Sequence, residues 1–170
     1  MSINPALLSS NNQTFNTPVN FLELVKRLGE IGLDPCSNPH SLVGARRSLS
    51  LENGDNGLTE AWDDQGLVFV NPPYGRSIPA WVDKACDTWV NARGSARDFE
   101  CIMLIPARTD TRWFSKLLSG ASALAFWRGR LTFLGASDPA PFPSLVVYFG
   151  EWVDLFARVF EPKAHVWRLP

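Results

Sequence analysis

The tetrapeptide Asn71-Pro72-Pro73-Tyr74 carries the clearest chemistry in this chain. An aromatic exocyclic amine is a poor nucleophile because its lone pair is delocalised into the ring. The Asn71 side-chain oxygen and the Pro72 carbonyl can accept the two N–H hydrogens of such an amine, which frees the lone pair. Tyr74 offers a flat face on which a base can stack. The pattern therefore predicts a site that activates a ring-bound amine.

The two prolines give this motif a stiff backbone. Each proline restricts its own φ and pushes the preceding residue towards extended geometry, and neither has an N–H that could recapture the carbonyls. A lone match would equally describe a strand that ends in a double-proline turn, with Tyr74 as a packing residue. The context favours the functional interpretation, because the motif stands between the apolar run Leu67–Val70 and a helix with a Ser77 cap.

Hydrophobic periodicity predicts the elements that position the motif. Residues 18–31 form a helix with Thr17 as N-cap candidate, and a short strand at Ile31–Asp34 follows. Residues 36–64 are mostly loop, with a helical turn near 40–47. A long amphipathic helix follows Ser77. The later elements are strands at 100–105, 123–127, 131–134 and 145–149, a helix at 110–118 with a cap at Thr109 or Asp110, and a final helix from Trp152.

This alternation predicts an α/β fold, with a mostly parallel sheet, helices on both faces and antiparallel C-terminal strands. Ligands bind such sheets outside the carboxyl ends of the strands, where Asp34 and Asn71 are expected. Asp34 would equally suit an Asx turn that closes its strand. The chain is expected to have a flexible tail at 1–13 and one domain at 14–170.

Composition limits the partners. The formal net charge of −1 means that DNA binding would require basic residues on one face, or would be weak and sensitive to salt. Three cysteines without CxxC spacing indicate a reducing cytoplasm and neither a disulfide framework nor a zinc site. Neither a signal peptide nor a transmembrane span is expected.

The motifs together resemble the small phage and prophage DNA N-6-adenine methyltransferases of the Dam type. The resemblance covers roughly residues 17–150. It rests on Thr17-Pro18, Asp34-Pro35-Cys36, Asn71-Pro72-Pro73-Tyr74, Arg108-Thr109-Asp110-Thr111-Arg112-Trp113 and Gly129-Arg130-Leu131.

The resemblance implies a Rossmann-like methyltransferase fold, S-adenosylmethionine as donor with S-adenosylhomocysteine as product, double-stranded DNA as substrate, and the cytoplasm of a bacterial host. It implies catalysis by Asn71, Pro72, Pro73 and Tyr74. Cofactor binding falls to Thr17, Pro18, Asp34, Pro35, Cys36 and Asn71. DNA binding is predicted for Tyr74, Arg76, Arg108, Asp110, Arg112 and Arg130. Arg108 and Arg112 lie just past a strand end, where substrate would arrive, but they would equally suit a helix cap with two solvated arginines. No metal is expected, and the protein would be a monomer or a homodimer.

Two departures from the family pattern leave alternatives open. Ser37-Asn38-Pro39-His40 stands where a glycine-rich turn is usual, and only Asp55 and Asp63 offer a carboxylate for the cofactor ribose. The same tetrapeptide serves methyltransferases that act on RNA or on protein glutamine. A catalytically silent DNA- or nucleotide-binding module on the same fold is the other alternative.

Overall fold

The computed structural model describes residues 15–63, 65–93 and 98–170. The predicted tail at 1–13 lies outside these residues. The strands are β1 Ile31–Asp34, β2 Arg47–Ser48, β3 Leu67–Val70, β4 Glu100–Pro106, β5 Ala123–Trp127, β6 Ser144–Phe149 and β7 Ala164–Arg168. The helices are α1 Val19–Lys26, α2 Ile78–Arg93, α3 Arg112–Gly120 and α4 Val153–Phe160, with a 3₁₀ turn at Leu51–Asn53.

The strands form a seven-stranded sheet in the order β2-β1-β3-β4-β6-β5-β7. Neighbours among β1, β2, β3 and β4 pair in parallel, β6 pairs antiparallel with both β4 and β5, and β7 pairs antiparallel with β5. The first five strands therefore point in one direction. This confirms the predicted α/β class, with a parallel block and antiparallel C-terminal strands, as in a Rossmann-like methyltransferase fold.

Both faces of the sheet are covered by helices, as the apolar runs predict. Along β3, Val68 and Val70 pack in one cluster with α2 and α3, whereas Leu67 and Phe69 pack in a second cluster with α1 and α4. All four of these side chains are buried. A strand covered on both faces loses the alternation of apolar and polar residues.

Several predicted boundaries were wrong. Helix α1 ends before Arg27 rather than at residue 31, because the Glu30 carbonyl already accepts the Leu67 N–H at the edge of the sheet. Residues 40–47 contain no helix in the structure; β2 begins at Arg47 instead. Thr111, rather than Thr109 or Asp110, caps α3 by accepting the Phe114 N–H at 3.3 Å.

The apolar alternation at 131–134 does not form a strand. Leu131 and Phe133 are buried in the cluster with α1 and α4, but their backbone belongs to the connection between β5 and β6. Within it, the Ala140 N–H donates to the Leu131 carbonyl, and the Leu134 N–H donates to the Asn16 carbonyl. The alternation thus reflects a loop that covers the core. Among the described residues, no helix combines the length and apolar character that crossing a membrane requires.

The loop after β2 is held against β1 and α2 by close contacts. A Cβ on Gly57 would lie 1.9 Å from the Pro35 carbonyl oxygen, so only glycine fits there. The Trp62 indole N–H donates to the Gly57 carbonyl at 2.8 Å, and the Trp62 ring stacks on Trp81 at 6.3 Å. These contacts fix the loop beside the end of β1.

We expect Gly57→Ala to destabilise the protein, since the added methyl group must displace the backbone at Pro35. Overpacking of this kind costs about 1–3 kcal/mol. Urea unfolding measures the loss, with Asn53→Ala, an exposed position in the same loop, as the control. Equal unfolding midpoints for the two variants would contradict the contact.

Candidate active site

A cavity of about 390 Å³ opens beside the carboxyl ends of β1 and β3. Its walls come from four segments: the residues before α1, the turn after β1, the loop after β2, and the tetrapeptide with the start of α2. Five of the six residues expected to bind cofactor line it, namely Thr17, Asp34, Pro35, Cys36 and Asn71, whereas Pro18 does not. Of the predicted catalytic residues, Asn71 and Pro73 line it, and Pro72 and Tyr74 do not.

Asn71 has a defined amide orientation. Its Nδ2 donates to the Phe15 carbonyl at 2.5 Å and to Thr17 Oγ1 at 3.0 Å. Because a carbonyl oxygen can only accept, the nitrogen must be the amide atom that faces Phe15. The other amide atom, Oδ1, is buried and has no hydrogen-bond partner among the described residues. Leaving a buried acceptor unpaired costs about 1–3 kcal/mol, so a donor that reaches this oxygen would stabilise the protein.

Thr17 has a different role from the one expected. The N-cap of α1 is Pro18, which makes no side-chain cap bond, and its carbonyl accepts the N–H groups of Phe21 and Leu22. The buried Thr17 hydroxyl accepts from Asn71 instead. Thr17 therefore helps to orient Asn71, and the prediction that it caps the helix was wrong.

Asp34 is a buried carboxylate at the cavity, only 3% exposed. Its Oδ1 accepts the Cys36 N–H and its Oδ2 accepts the Ser41 hydroxyl, each at 3.2 Å. Burial raises the pKa of Asp34 to about 6, against the opposing effect of hydrogen bonds from Cys36, Ser37 and Ser41. The bond to Cys36 closes an Asx turn, so the turn and the placement at the cavity occur together.

The turn after β1 keeps its shape without glycines. The Asn38 side chain donates to Asn16 Oδ1 at 2.7 Å and accepts the His40 N–H at 3.0 Å. The Ser37 N–H donates to the Leu49 carbonyl at 2.9 Å. Side-chain amides thus connect this turn to the segment before α1.

Only one of the two carboxylates considered for the cofactor ribose lies at the cavity. Asp55 lines the cavity and accepts the Ser50 N–H at 3.2 Å, whereas Asp63 pairs with Arg47 at 3.9 Å away from the cavity wall. Glu52 also lines the cavity and was missed from the sequence. The position of Glu52 shortly after β2 could have pointed to it. However, β2 has only two residues, which is too short for hydrophobic periodicity to predict the strand.

Tyr74 lies in a group of four aromatic rings. Its ring stacks on Phe15, with centroids 5.3 Å apart and planes at 29°, and meets Phe133 and Phe142 at 81° and 76°. The Tyr74 hydroxyl donates to the Leu104 carbonyl at 3.3 Å, and burial raises the pKa of this hydroxyl well above its usual range. Phe15 was missed from the sequence, because it precedes α1 outside any periodic pattern.

The start of α2 is tied to the tetrapeptide. The Ser77 hydroxyl donates to the Pro73 carbonyl at 3.1 Å, and the Ser77 carbonyl accepts the N–H groups of Ala80 and Trp81. The helix itself is anchored by its buried apolar face. The position of the motif is therefore set at both ends, by β3 and by α2.

The arginines expected to contact DNA are exposed and share one edge of the sheet. Arg76 follows β3, Arg108 and Arg112 follow β4, and Arg130 follows β5. Because these strands point in one direction, their carboxyl ends meet at the edge that also carries the cavity. Among the described residues, none of the four arginines forms an ion pair. Asp110 lies exposed in the same loop as Arg108.

Other arginines have partners within the protein. Arg46 pairs with Glu30, and Arg47 with Glu60 and Asp63. Arg128 donates to backbone carbonyls at Glu161 and Pro162, and Arg168 pairs with Asp154 and Glu161. A chain with a net charge of −1 thus still presents unpaired positive charge beside the cavity.

Comparison with known proteins identifies a family for this chain. The chain matches the family model described as DNA N-6-adenine-methyltransferase (Dam) over residues 5–153. A search of curated proteins found no match. The matched region includes β1 to β6, every residue of the cavity wall and all four unpaired arginines. Because the match covers most of the 170 residues, the chain belongs to the DNA N-6-adenine-methyltransferase (Dam) family.

Proposed function

We propose that this protein transfers a methyl group from S-adenosylmethionine to the N6 amine of adenine in double-stranded DNA, within a single domain of residues 14–170. The observation that carries the proposal is the orientation of Asn71, whose unpaired Oδ1 lies beside a cavity large enough for a cofactor. Membership of the Dam family supports adenine in DNA as the acceptor.

The cavity wall suits a cationic donor with a sugar. The Asp34 carboxylate provides a negative charge for the positively charged methionyl part, and Asp55 and Glu52 provide acceptors for ribose hydroxyls. Leu49 and Leu58 add apolar surface for a purine ring. When bound, S-adenosylmethionine supplies an activated methyl group on sulfur. Asp34, Asp55 and the leucines would hold and orient it.

The tetrapeptide would prepare the acceptor nitrogen. Adenine must first leave the base stack, because its N6 cannot meet a donor inside the duplex. Asn71 Oδ1 and the Pro72 carbonyl then accept the two N6 hydrogens, and Tyr74 stacks on the base. The freed lone pair on N6 would accept the methyl group that S-adenosylmethionine supplies, with S-adenosylhomocysteine as the leaving group and one N6 proton released to water. Alignment of the two reactants supplies much of the rate.

The unpaired arginines would hold the DNA backbone. Arg76, Arg108, Arg112 and Arg130 surround the carboxyl edge of the sheet, and phosphates are the commonest protein contacts on a duplex. Since the protein has no net positive charge, affinity should depend on these few contacts and fall steeply with salt.

Replacing Asn71 tests the acceptor role. We expect Asn71→Ala to lower methyl transfer by about 100- to 1000-fold, the usual effect of losing one preorganised hydrogen-bonding group. Cofactor binding should persist because the rest of the wall is intact. Transfer is measured with radiolabelled S-adenosylmethionine and DNA, and binding by calorimetry. Asn91→Ala, an exposed asparagine on α2, is the control. Normal turnover by Asn71→Ala would refute the role.

The same assay separates the alternative functions. DNA, RNA and protein acceptors are compared, and labelled DNA is digested to nucleosides to identify N6-methyladenine. Label in RNA or protein alone would replace the proposed substrate. Absence of both cofactor binding and transfer would favour the catalytically silent module.

Asp34→Asn should increase stability and abolish cofactor binding. The folded protein holds the Asp34 proton more tightly than the unfolded chain does, with a pKa of about 6 against 3.8. Stability is therefore greatest below the lower pKa and falls as the pH rises through the higher one. One pKa unit corresponds to about 1.4 kcal/mol, so the charged Asp34 costs roughly 3 kcal/mol at neutral pH.

Urea unfolding over a pH series checks the stability effect, and calorimetry checks affinity for S-adenosylmethionine. The advantage of Asp34→Asn should appear as the pH rises through the interval between 3.8 and about 6. The affinity of the unsubstituted protein should weaken as the pH falls through about 6, where the carboxylate becomes protonated. Asp63→Asn, an exposed acid, is the control. Retained affinity in Asp34→Asn would overturn the assignment.

Arg108→Ala should weaken DNA binding and its dependence on salt. One lost phosphate contact lowers the slope of log affinity against log salt by about 0.9. Binding titrations at several salt concentrations give this slope. Arg27→Ala removes an exposed arginine that follows α1 and precedes the start of β1, at the opposite edge of the sheet, and should leave the slope unchanged. Equal slopes for Arg108→Ala and the unsubstituted protein would exclude Arg108 from the interface.

A further inference from the structure

Phe15 contacts both groups that the proposed function assigns to the target base. Its backbone carbonyl accepts the Asn71 amide N–H, and its ring stacks on Tyr74 with 5.3 Å between centroids. Phe15 also lines the cavity. Phe15 therefore adjoins the cavity, the Asn71 amide and the Tyr74 ring.

The spacing of the two rings excludes a base between them. Carbon atoms in contact prefer separations of about 3.5–4.0 Å, so a base held between Phe15 and Tyr74 would need roughly 7 Å between the outer rings. The observed 5.3 Å is too short. Phe133 and Phe142 meet Tyr74 at 81° and 76°, so neither stacks on it. Of these three neighbouring rings, Phe15 is therefore the one that stacks on Tyr74.

The hydrogen-bonding part of the site is closed in the same state. Asn71 Oδ1 is buried without a partner in the described part of the chain. A water molecule at this oxygen would satisfy it, but the atom is out of contact with solvent. The Tyr74 ring face and Asn71 Oδ1 are thus both covered in this state. These are the two features that an adenine would use.

We infer that Phe15 holds the place of the target base in the DNA-free protein and that an extruded adenine displaces its ring from Tyr74. The inference rests on the proposed function. Rotation of the Phe15 side chain can free the Tyr74 face while the Phe15 carbonyl keeps its bond to Asn71, so the acceptor stays oriented as the site opens. Because a ligand must replace the Phe15 ring on Tyr74 and also reach Asn71 Oδ1, the site favours a ligand that offers both a stacking ring and an N–H donor.

The test is to remove the ring and offer a base in its place. Phe15→Ala leaves a space against Tyr74, and apolar spaces created by truncation can bind aromatic molecules. Free adenine is the probe, and its affinity is measured by calorimetry on the full chain. We expect Phe15→Ala to bind adenine at least tenfold more tightly than the unsubstituted protein does. Purine, which lacks the exocyclic amine, should bind less tightly than adenine.

Two further variants sharpen the result. Phe142→Ala removes a neighbouring ring that does not stack on Tyr74, and it should bring no gain in adenine affinity. Phe15→Leu keeps apolar bulk but removes the ring, so it should give a smaller gain with the same preference for adenine over purine, even if Phe15→Ala does not fold. An equal gain in Phe142→Ala, or no gain in either Phe15 variant, would overturn the inference.

Methyl transfer to DNA by the unsubstituted protein is measured alongside. Transfer without any gain in adenine affinity overturns the role of Phe15 and leaves the proposed function intact. A gain in adenine affinity without transfer to DNA overturns the proposed function and supports the displacement of Phe15 by a base. The two failures are therefore distinguishable.

Discussion

The hydrogen bond from Asn71 Nδ2 to the Phe15 carbonyl determines what this site can do. An amide side chain presents a donor at one end and an acceptor at the other, and the carbonyl partner selects which end turns inward. Thr17 strengthens the choice with a second acceptor at 3.0 Å. With the nitrogen engaged, the oxygen is the amide atom left to accept a hydrogen bond from the amine proposed as substrate. A reversed amide would present N–H groups to an amine and could not activate it.

The sheet brings the partners of this hydrogen bond together. Because β1 lies next to β3 and runs parallel to it, the carboxyl ends that carry Asp34 and Asn71 are neighbours. The segment before α1 closes the same edge, where Asn16 bonds Asn38. The direction shared by β3, β4 and β5 adds four unpaired arginines to that edge. The positive charge of this edge is thus a product of strand order in a protein whose overall charge is close to neutral.

Two groups at the site lower the stability of the folded protein. The Asp34 carboxylate is buried, and its raised pKa shows that burial outweighs its hydrogen bonds. Asn71 Oδ1 is buried without a partner in the described part of the chain. Natural proteins depart from fully satisfied packing mostly where function requires it, and both groups adjoin the same cavity. A bound donor and a base would each supply the missing partner.

The sequence alone determined the features that depend on neighbouring residues. The apolar runs predict β1, β3 and α2, and the proline chemistry predicts a stiff turn after β3 with Asn71 at its start, because these signals act over a few residues. Tertiary structure decided the rest. Phe15 bonds to Asn71 although 56 positions separate them in sequence. Asp55 lines the cavity because Gly57 and Trp62 hold its loop in place. The apolar residues around Leu131 cover the core without joining the sheet. Such contacts depend on which strands pair and in what order, and neither local periodicity nor the chemistry of a motif contains that information.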